Sequence, residues 1–87
     1  MDFFQIIFKP SSEHELRQLP SKLIVKASRM IEELASNPYP QSAAKLIGEN
    51  AYRIRVGDYR IVYTVNKKEK VVYIKRVRHR KDVYRKF

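Results

Sequence analysis

The sequence of 87 residues contains no cysteine, no tryptophan and only two glycines, Gly48 and Gly57. The absence of cysteine excludes a disulfide framework and a cysteine-based zinc site. Two isolated glycines do not form the glycine-rich loop that cradles phosphates in nucleotide-binding folds. The two histidines, His14 and His79, lie in different predicted elements without a cluster of carboxylates. We therefore expect neither a metal site nor a cofactor.

Long hydrophobic runs are also missing. The apolar stretch near the N-terminus, Phe3–Phe8, has no basic segment before it and is too short for a signal peptide. No stretch approaches the length of a membrane-spanning helix. We therefore expect a soluble, cytoplasmic protein without a membrane partner. With 44% hydrophobic residues, the chain has room for a single domain, 1–87, around one core.

Negative charge is scarce in the second half of the chain. Residues 1–50 carry 6 Lys/Arg against 6 Asp/Glu, whereas residues 51–87 carry 13 against 3. The whole net charge of +10 therefore lies in the last 37 residues, and such asymmetry points to a polyanionic partner. Because the basic residues alternate with tyrosine and β-branched residues, as in Tyr52–Val56, we expect a folded basic surface and not a disordered tail.

The hydrophobic periodicity predicts an α+β domain in which two helices pack on a mainly antiparallel four-stranded sheet, in the order β-α-α-β-β-β plus a C-terminal tail. Ser12, three residues before Glu15, forms the capping-box pattern that opens a helix. The two-residue turn Gly57-Asp58 predicts a tight hairpin. The predicted strands are 3–9, 51–56, 59–66 and 70–78, the predicted helices are 12–19 and 21–36, and residues 41–50 are predicted to connect them.

The predicted hairpin brings arginines together. If Gly57-Asp58 is the whole turn, Arg55 pairs with Arg60 and Arg53 lies on the same face. Directly opposed like charges destabilise a hairpin, so this pairing makes sense mainly if an anion lies across it. The register of the next strand decides whether Arg76 or Arg78 joins the same face.

The prevalence of arginine among the basic residues indicates which anion the surface binds. The planar guanidinium of arginine suits phosphate, and tyrosines such as Tyr52, Tyr59 and Tyr84 can stack on unpaired bases. This combination favours single-stranded RNA or DNA as the partner. Two plainer interpretations remain open: an arginine-rich face that is only solvated, and tyrosines that serve as core residues with a polar tip.

His79 lies between Arg78 and Arg80 and is the one side chain in the basic half that takes and gives a proton near neutral pH. It is therefore a candidate for proton transfer. The alternative is a surface histidine without a function. His14, between Glu13 and Glu15 in the first predicted helix, is interpreted as an ordinary exposed residue.

Two segments carry recognisable motifs: the run from Tyr52 to Tyr63, with the hairpin GDYRIVY, and the run from Val77 to Tyr84, with HRKDVY. Together they resemble the RelE/ParE superfamily of toxins from type II toxin–antitoxin systems. The resemblance extends to chain length and element order. It implies a RelE-like fold and a metal-independent endoribonuclease that cleaves mRNA in the ribosomal A site. It also implies ribosome, mRNA and a cognate antitoxin as partners, and we expect the antitoxin to be acidic where it wraps the basic face.

The resemblance also implies roles for individual residues. By position, the catalytic set is Arg53, Arg55, Arg60, Arg80 and Tyr84. Arg60 and Arg80 would stabilise charge on the phosphorane, and Tyr84 would stack on a base or assist proton transfer. Further RNA contacts are expected from Arg76, Arg78, Lys81 and Arg85.

The chain departs from RelE on the first strand of the hairpin. RelE itself has lysines where this chain has Arg53 and Arg55. Arginine stays charged and is a poor base. His79 is therefore the better candidate for proton transfer, unless the ribosome or the substrate supplies the base.

Two other functions stay open. The same fold serves ParE-type toxins, which block DNA gyrase without cutting RNA, and a non-catalytic RNA-binding module would use the same basic face. The presence of Arg60, His79, Arg80 and Tyr84 together favours the nuclease.

Overall fold

The computed structural model of the protein describes residues 3–46 and 50–79. The predicted α+β class is confirmed, with two helices and five strands in these residues. The fifth strand arises because two residues of the predicted connection pair antiparallel with the strand that follows. In chain order the elements are β1 (Gln5–Phe8), α1 (Pro10–Arg17), α2 (Ser21–Glu33), β2 (Ala44–Lys45), β3 (Ala51–Val56), β4 (Tyr59–Asn66) and β5 (Val71–His79).

The strands form one sheet in the order β1-β5-β4-β3-β2. The β3–β4 and β4–β5 pairs are antiparallel. At one edge of the sheet, β1 lies parallel to β5, which brings together the first and the last of the described strands. Because parallel neighbours cannot be joined by a tight turn, the helices and the hairpins all lie between them in sequence.

The β3–β4 hairpin has the register that its turn predicts. Val56 pairs with Tyr59, and Arg55 pairs with Arg60. Gly57 has a φ of +59°, whereas Asp58 does not take a positive φ, and this combination is typical of a II′ hairpin turn. A Cβ atom at Gly57 would lie only 3.3 Å from Cδ1 of Leu23. Glycine therefore allows both the turn and the close approach of α2.

The start of α1 differs from the prediction. The helix begins at Pro10, with Lys9 at its N-cap, so the predicted capping box is wrong. Proline fits this position because the N–H that it lacks would have no partner in the first turn. Ser12 lies one turn inside and is buried, with its hydroxyl 2.7 Å from the Lys9 carbonyl oxygen and 2.9 Å from that of Ile74. It therefore ties α1 to β5.

α2 ends at Glu33, three residues before the predicted end. The N–H groups of Leu34, Ala35 and Ser36 bond to carbonyls three residues back instead of four, which tightens the last turn. The core lies between the helices and one face of the sheet. Its members are Leu16, Leu19, Ala27, Ile31, Leu34, Ile54, Val56, Ile61, Tyr63, Val72, Ile74 and Val77.

Tyr63 is the largest of the fully buried side chains. Its hydroxyl donates a hydrogen bond of 2.8 Å to the Pro38 carbonyl, and its ring stacks on Tyr52 with the centroids 5.9 Å apart. Burial raises the pKa of Tyr63, and the neighbouring Tyr52 and Tyr39 raise it further. Tyr63 thereby holds the loop after α2 against the middle of the sheet.

We expect Tyr63→Phe to lower the free energy of unfolding by about 1–2 kcal/mol, because it removes the donor from a buried carbonyl. Urea unfolding followed by circular dichroism measures this change. Tyr52→Phe is the matched control, since the Tyr52 hydroxyl makes no hydrogen bond within the described ranges. Equal losses in the two variants would contradict the role of the Pro38 contact.

Tyr63 is also expected to make stability fall at alkaline pH. The unfolded chain releases this proton near pH ~10, whereas the folded protein holds it to higher pH. The folded state therefore binds more protons above pH ~10, and stability decreases as pH rises. Unfolding free energies between about pH 8 and pH 11 should decline less in Tyr63→Phe than in the wild type. Parallel profiles would exclude Tyr63 as a source of the decline.

Candidate functional site

The face of the sheet opposite the helices carries arginines. Ile54, Val56 and Ile61 point into the core. Because side chains alternate along a strand, Arg55 and Arg60 point to the other face. The alternation that buries three aliphatic residues therefore directs two arginines to the face opposite the helices.

The register of β5 adds a third strand to this arrangement. Arg78 pairs with Arg60, which in turn pairs with Arg55. We call these three residues, which cross β3, β4 and β5, the arginine rung. The next rung on the same face consists of Arg53, Val62 and Arg76. The sequence left open whether Arg76 or Arg78 joins the face, and the register brings both.

Burial differs along the arginine rung. Arg60 on the central strand is only 6% exposed, Arg78 is half-buried, and Arg55 is exposed. Guanidinium groups on directly opposed positions repel one another, and the repulsion is strongest where water is excluded. An anion placed across the rung would offset that repulsion with charge-assisted hydrogen bonds. The geometry is therefore suited to a phosphate group.

Glu15 of α1 is an acidic residue that contacts this face. Its Oε1 accepts the backbone N–H of Val77 at 2.8 Å, and its Oε2 accepts the Nε–H of Arg78 at 2.9 Å. The same Oε2 lies 3.4 Å from Nη2 of Arg76. Glu15, which the capping-box pattern assigns to the start of its own helix, instead links that helix to two arginines of β5.

His79 lies on the other side of β5 from Arg78. It pairs with Tyr59, and the two rings meet edge to face with their centroids 5.2 Å apart. Adjacent residues of a strand point to opposite faces, so closeness in sequence does not bring His79 onto the arginine rung. Tyr52 is likewise directed to the core side, where it contacts Tyr63.

An aromatic residue that the sequence analysis did not select, Tyr73, shares the open face. Counting in twos from Arg78 would place Ile74 there. The register shifts between Val62 and Tyr63, however, so that Ile74 pairs with Tyr63 in the core and Tyr73 pairs with Thr64 on the open side. Such a bulge has no clear signature in the sequence.

Beside this aromatic residue lies an open cavity of about 650 Å³. Its lining includes Tyr39 and Tyr73, each with a lysine over its ring: Lys67 at 5.2 Å and Lys75 at 5.3 Å from the ring centroids. The basic surface therefore continues beyond the arginines.

Four predicted site residues, Arg80, Lys81, Tyr84 and Arg85, lie outside the described residues. Within the described ranges, no three metal-ligating side chains are clustered. The helices found there are also too short and too polar to cross a membrane.

We expect Arg55→Gln to raise the free energy of unfolding of the unbound protein by about 0.2–1 kcal/mol at low salt, because it removes one of two opposed charges. The gain should shrink near 1 M NaCl, where the charges are screened. Lys68→Gln removes the same charge from the exposed β4–β5 turn and serves as the control. Urea unfolding at both salt concentrations measures the difference, and a gain independent of salt would argue against repulsion.

Comparison with known proteins gives the family. The sequence-family model described as the ParE toxin of the type II toxin–antitoxin system parDE matches residues 6–84. "Toxin RelE3" of Methanocaldococcus jannaschii is 32% identical over 85 residues, which cover 92% of this chain and 94% of that protein.

Solved structures agree with this result. The archaeal RelE–RelB complex from Pyrococcus horikoshii matches with a TM-score of 0.81 and 28% identity, covering 90% of this chain and 96% of that one. The RelB–RelE antitoxin–toxin complex from Methanococcus jannaschii matches with a TM-score of 0.77 and 30% identity, covering 93% and 98%. The resemblance inferred from the hairpin and tail motifs is thus confirmed, and the chain belongs to the RelE/ParE superfamily of type II toxin–antitoxin toxins.

Proposed function

We propose that this toxin is an endoribonuclease that cleaves mRNA in the ribosomal A site. The observation that supports this proposal is the arginine rung: Arg55, Arg60 and Arg78 lie side by side on three strands, on the face of the sheet opposite the helices. Guanidinium groups bind phosphate through paired hydrogen bonds, and several of them together suit an anion whose charge increases during reaction.

The proposed reaction uses the 2′-hydroxyl of RNA as the nucleophile. Its oxygen loses a proton and attacks the adjacent phosphorus, the bond from phosphorus to the 5′-oxygen breaks, and the 5′-oxygen gains a proton. The products are a 2′,3′-cyclic phosphate and a free 5′-hydroxyl. The arginine rung would stabilise the extra negative charge on the phosphorane, with Arg53 and Arg76 contacting neighbouring phosphates.

Arginine cannot supply the proton transfers, because it stays protonated. Of the candidates in this chain, His79 lies next to Tyr59 on the opposite face from Arg78. We therefore favour Tyr84, or a group of the ribosome or substrate, as the partner in proton transfer. Arg80, Lys81 and Arg85 remain proposed RNA contacts.

His79→Gln tests this choice. Removing a general base costs about 10²–10⁴-fold in rate, so a histidine outside the reaction should leave cleavage within a few-fold of the wild type. Single-turnover cleavage of mRNA on ribosomes measures the effect. A loss of about a hundredfold with unchanged folding would return the proton-transfer role to His79.

Cleavage itself is tested by adding the purified protein to a translating extract and mapping the 5′ ends of the mRNA. We expect cuts in phase with the codons, which Arg80→Ala or Tyr84→Ala abolishes. Lys68→Ala, on the exposed turn after β4, is the control and should cut as the wild type does.

A second candidate is inhibition of DNA gyrase without RNA cleavage, because the family model that matches the chain carries the ParE description. A supercoiling assay with purified gyrase distinguishes the two. Intact mRNA together with blocked supercoiling would exclude the nuclease and support the ParE type. Binding of RNA with neither effect would leave a non-catalytic RNA-binding module.

We also propose that a cognate antitoxin covers the arginine rung with an acidic segment. The support is twofold: the solved complexes of similar toxins contain an antitoxin, and the rung is strongly basic. The affinity of the complex should fall as salt rises. At low salt it should be lower in Arg55→Gln than in the wild type. Salt sensitivity that stays unchanged when Arg53 and Arg55 are both neutralised would contradict an acidic contact at this face.

A further inference from the structure

Within residues 3–46 and 50–79, no strand lies beside the outer edge of the second half of β5. β1 pairs with β5 as far as Ile74, and beyond that residue α1 packs against β5, with Glu15 of the helix at Val77 and Arg78. Unpaired N–H groups at a sheet edge need a partner or water. Here the N–H of Val77 donates to Oε1 of Glu15. A side chain of the helix therefore provides the hydrogen-bond acceptor that the carbonyl of a neighbouring strand would otherwise provide.

The other oxygen of this carboxylate holds Arg78. The bond runs from Nε–H of Arg78 to Oε2 of Glu15 at 2.9 Å, between side chains that are 33% and 20% exposed. The donor is the guanidinium nitrogen that is attached to the aliphatic part of the side chain. The two terminal nitrogens, Nη1 and Nη2, are therefore left outside this bond, in the paired arrangement that suits phosphate oxygens.

The carboxylate can orient Arg78 because it is itself held by the backbone. With one oxygen bonded to Val77, the plane of the carboxylate is determined by the sheet edge and not by solvent. Arg76 lies further away, with Nη2 at 3.4 Å from the same oxygen. One carboxylate facing two guanidinium groups leaves this part of the face positively charged, so Glu15 orients the arginines without neutralising them.

We propose that Glu15 is a positioning residue, which acts through Arg78 and presents its terminal nitrogens to the phosphate on the arginine rung. The inference rests on the proposed function for its effect on cleavage. A flexible arginine loses side-chain entropy when it binds phosphate, which weakens binding. An arginine that Glu15 already holds in place loses less entropy in the same step. The plainer role for Glu15 is to cap the Val77 N–H and stabilise the edge.

Glu15→Gln separates the two roles. Glutamine keeps a carbonyl oxygen for the Val77 N–H, but it loses the charge and replaces the second acceptor with an NH₂ group that cannot accept from Arg78. Glu13→Gln is the matched control: Glu13 lies on the same helix, its substitution changes the charge equally, and within the described residues its side chain pairs with the exposed Arg17 at 3.8 Å. Unfolding curves of both variants check that the fold is intact.

Single-turnover mRNA cleavage is measured for Glu15→Gln, Arg78→Gln and the double variant. We expect Glu15→Gln to slow cleavage about tenfold to a hundredfold, as misplacement of a charged group does, and Glu13→Gln to cleave like the wild type. The double variant should be no slower than Arg78→Gln alone, because Glu15 acts through that residue. Effects that multiply, or a Glu15→Gln rate equal to that of Glu13→Gln, would overturn the proposal.

A second readout does not depend on cleavage. The Nε–H signal of Arg78 in ¹⁵N NMR should be protected from exchange in the wild type and in Glu13→Gln, and lost in Glu15→Gln. Titration with inorganic phosphate should show weaker binding in Glu15→Gln than in Glu13→Gln. If the wild type leaves mRNA intact but these signals behave as expected, the proposed nuclease fails and the positioning role stands. Rapid exchange of the Arg78 Nε–H with solvent in the wild type would overturn the positioning role.

If Glu15→Gln does not fold, Arg78→Lys replaces it. Lysine keeps the charge but has no Nε–H for Glu15 to hold and no paired terminal nitrogens. Cleavage by Arg78→Lys at the wild-type rate would overturn the proposal, and a loss comparable to that of Arg78→Gln would support it.

Discussion

The pairing of β4 with its two neighbours is the constraint on which the rest of this structure depends. β4 buries Ile61 and Tyr63 against the helices, and its alternate residues have to face the other way. A slip of one residue would turn the charged Arg60 toward the apolar side chains of the core and turn Ile61 and Tyr63 away from it. The same register that buries the core therefore assembles the arginine rung, so stability and the candidate site cannot be separated.

The arginine rung is a source of repulsion in the unbound protein, and two features of the structure manage it. Arg55 is left in solvent, where screening is effective, and the β5 arginines share the Glu15 carboxylate at the sheet edge. The remaining positive charge favours an anionic partner, whether RNA phosphate or an acidic antitoxin segment. Family membership is compatible with both the proposed nuclease and the gyrase inhibitor, because one fold serves both.

Much of this could be predicted from local signals in the sequence. The Gly57-Asp58 turn by itself determined the hairpin register, and with it the pairing of Arg55 and Arg60, because a two-residue turn leaves no freedom in the strands beside it. The helix count and the α+β class followed from hydrophobic spacing. Where a local signal misled, as at Ser12, a stronger one lay beside it: Pro10 already occupied the first turn of the helix.

Other features were decided only by contacts between distant parts of the chain. The register shift beside Tyr63 brought Tyr73 to the face opposite the helices, and strand alternation turned His79 and Arg78 to opposite faces of β5. The bond from Glu15 to Arg78 joins residues 63 positions apart. No periodicity encodes the register shift between β4 and β5 or the packing of α1 beside the second half of β5, because both arise from contacts between segments that are distant in the chain. The sequence alone determined which residues are charged and how the hairpin turns, whereas tertiary packing decided which arginines meet and which carboxylate holds them.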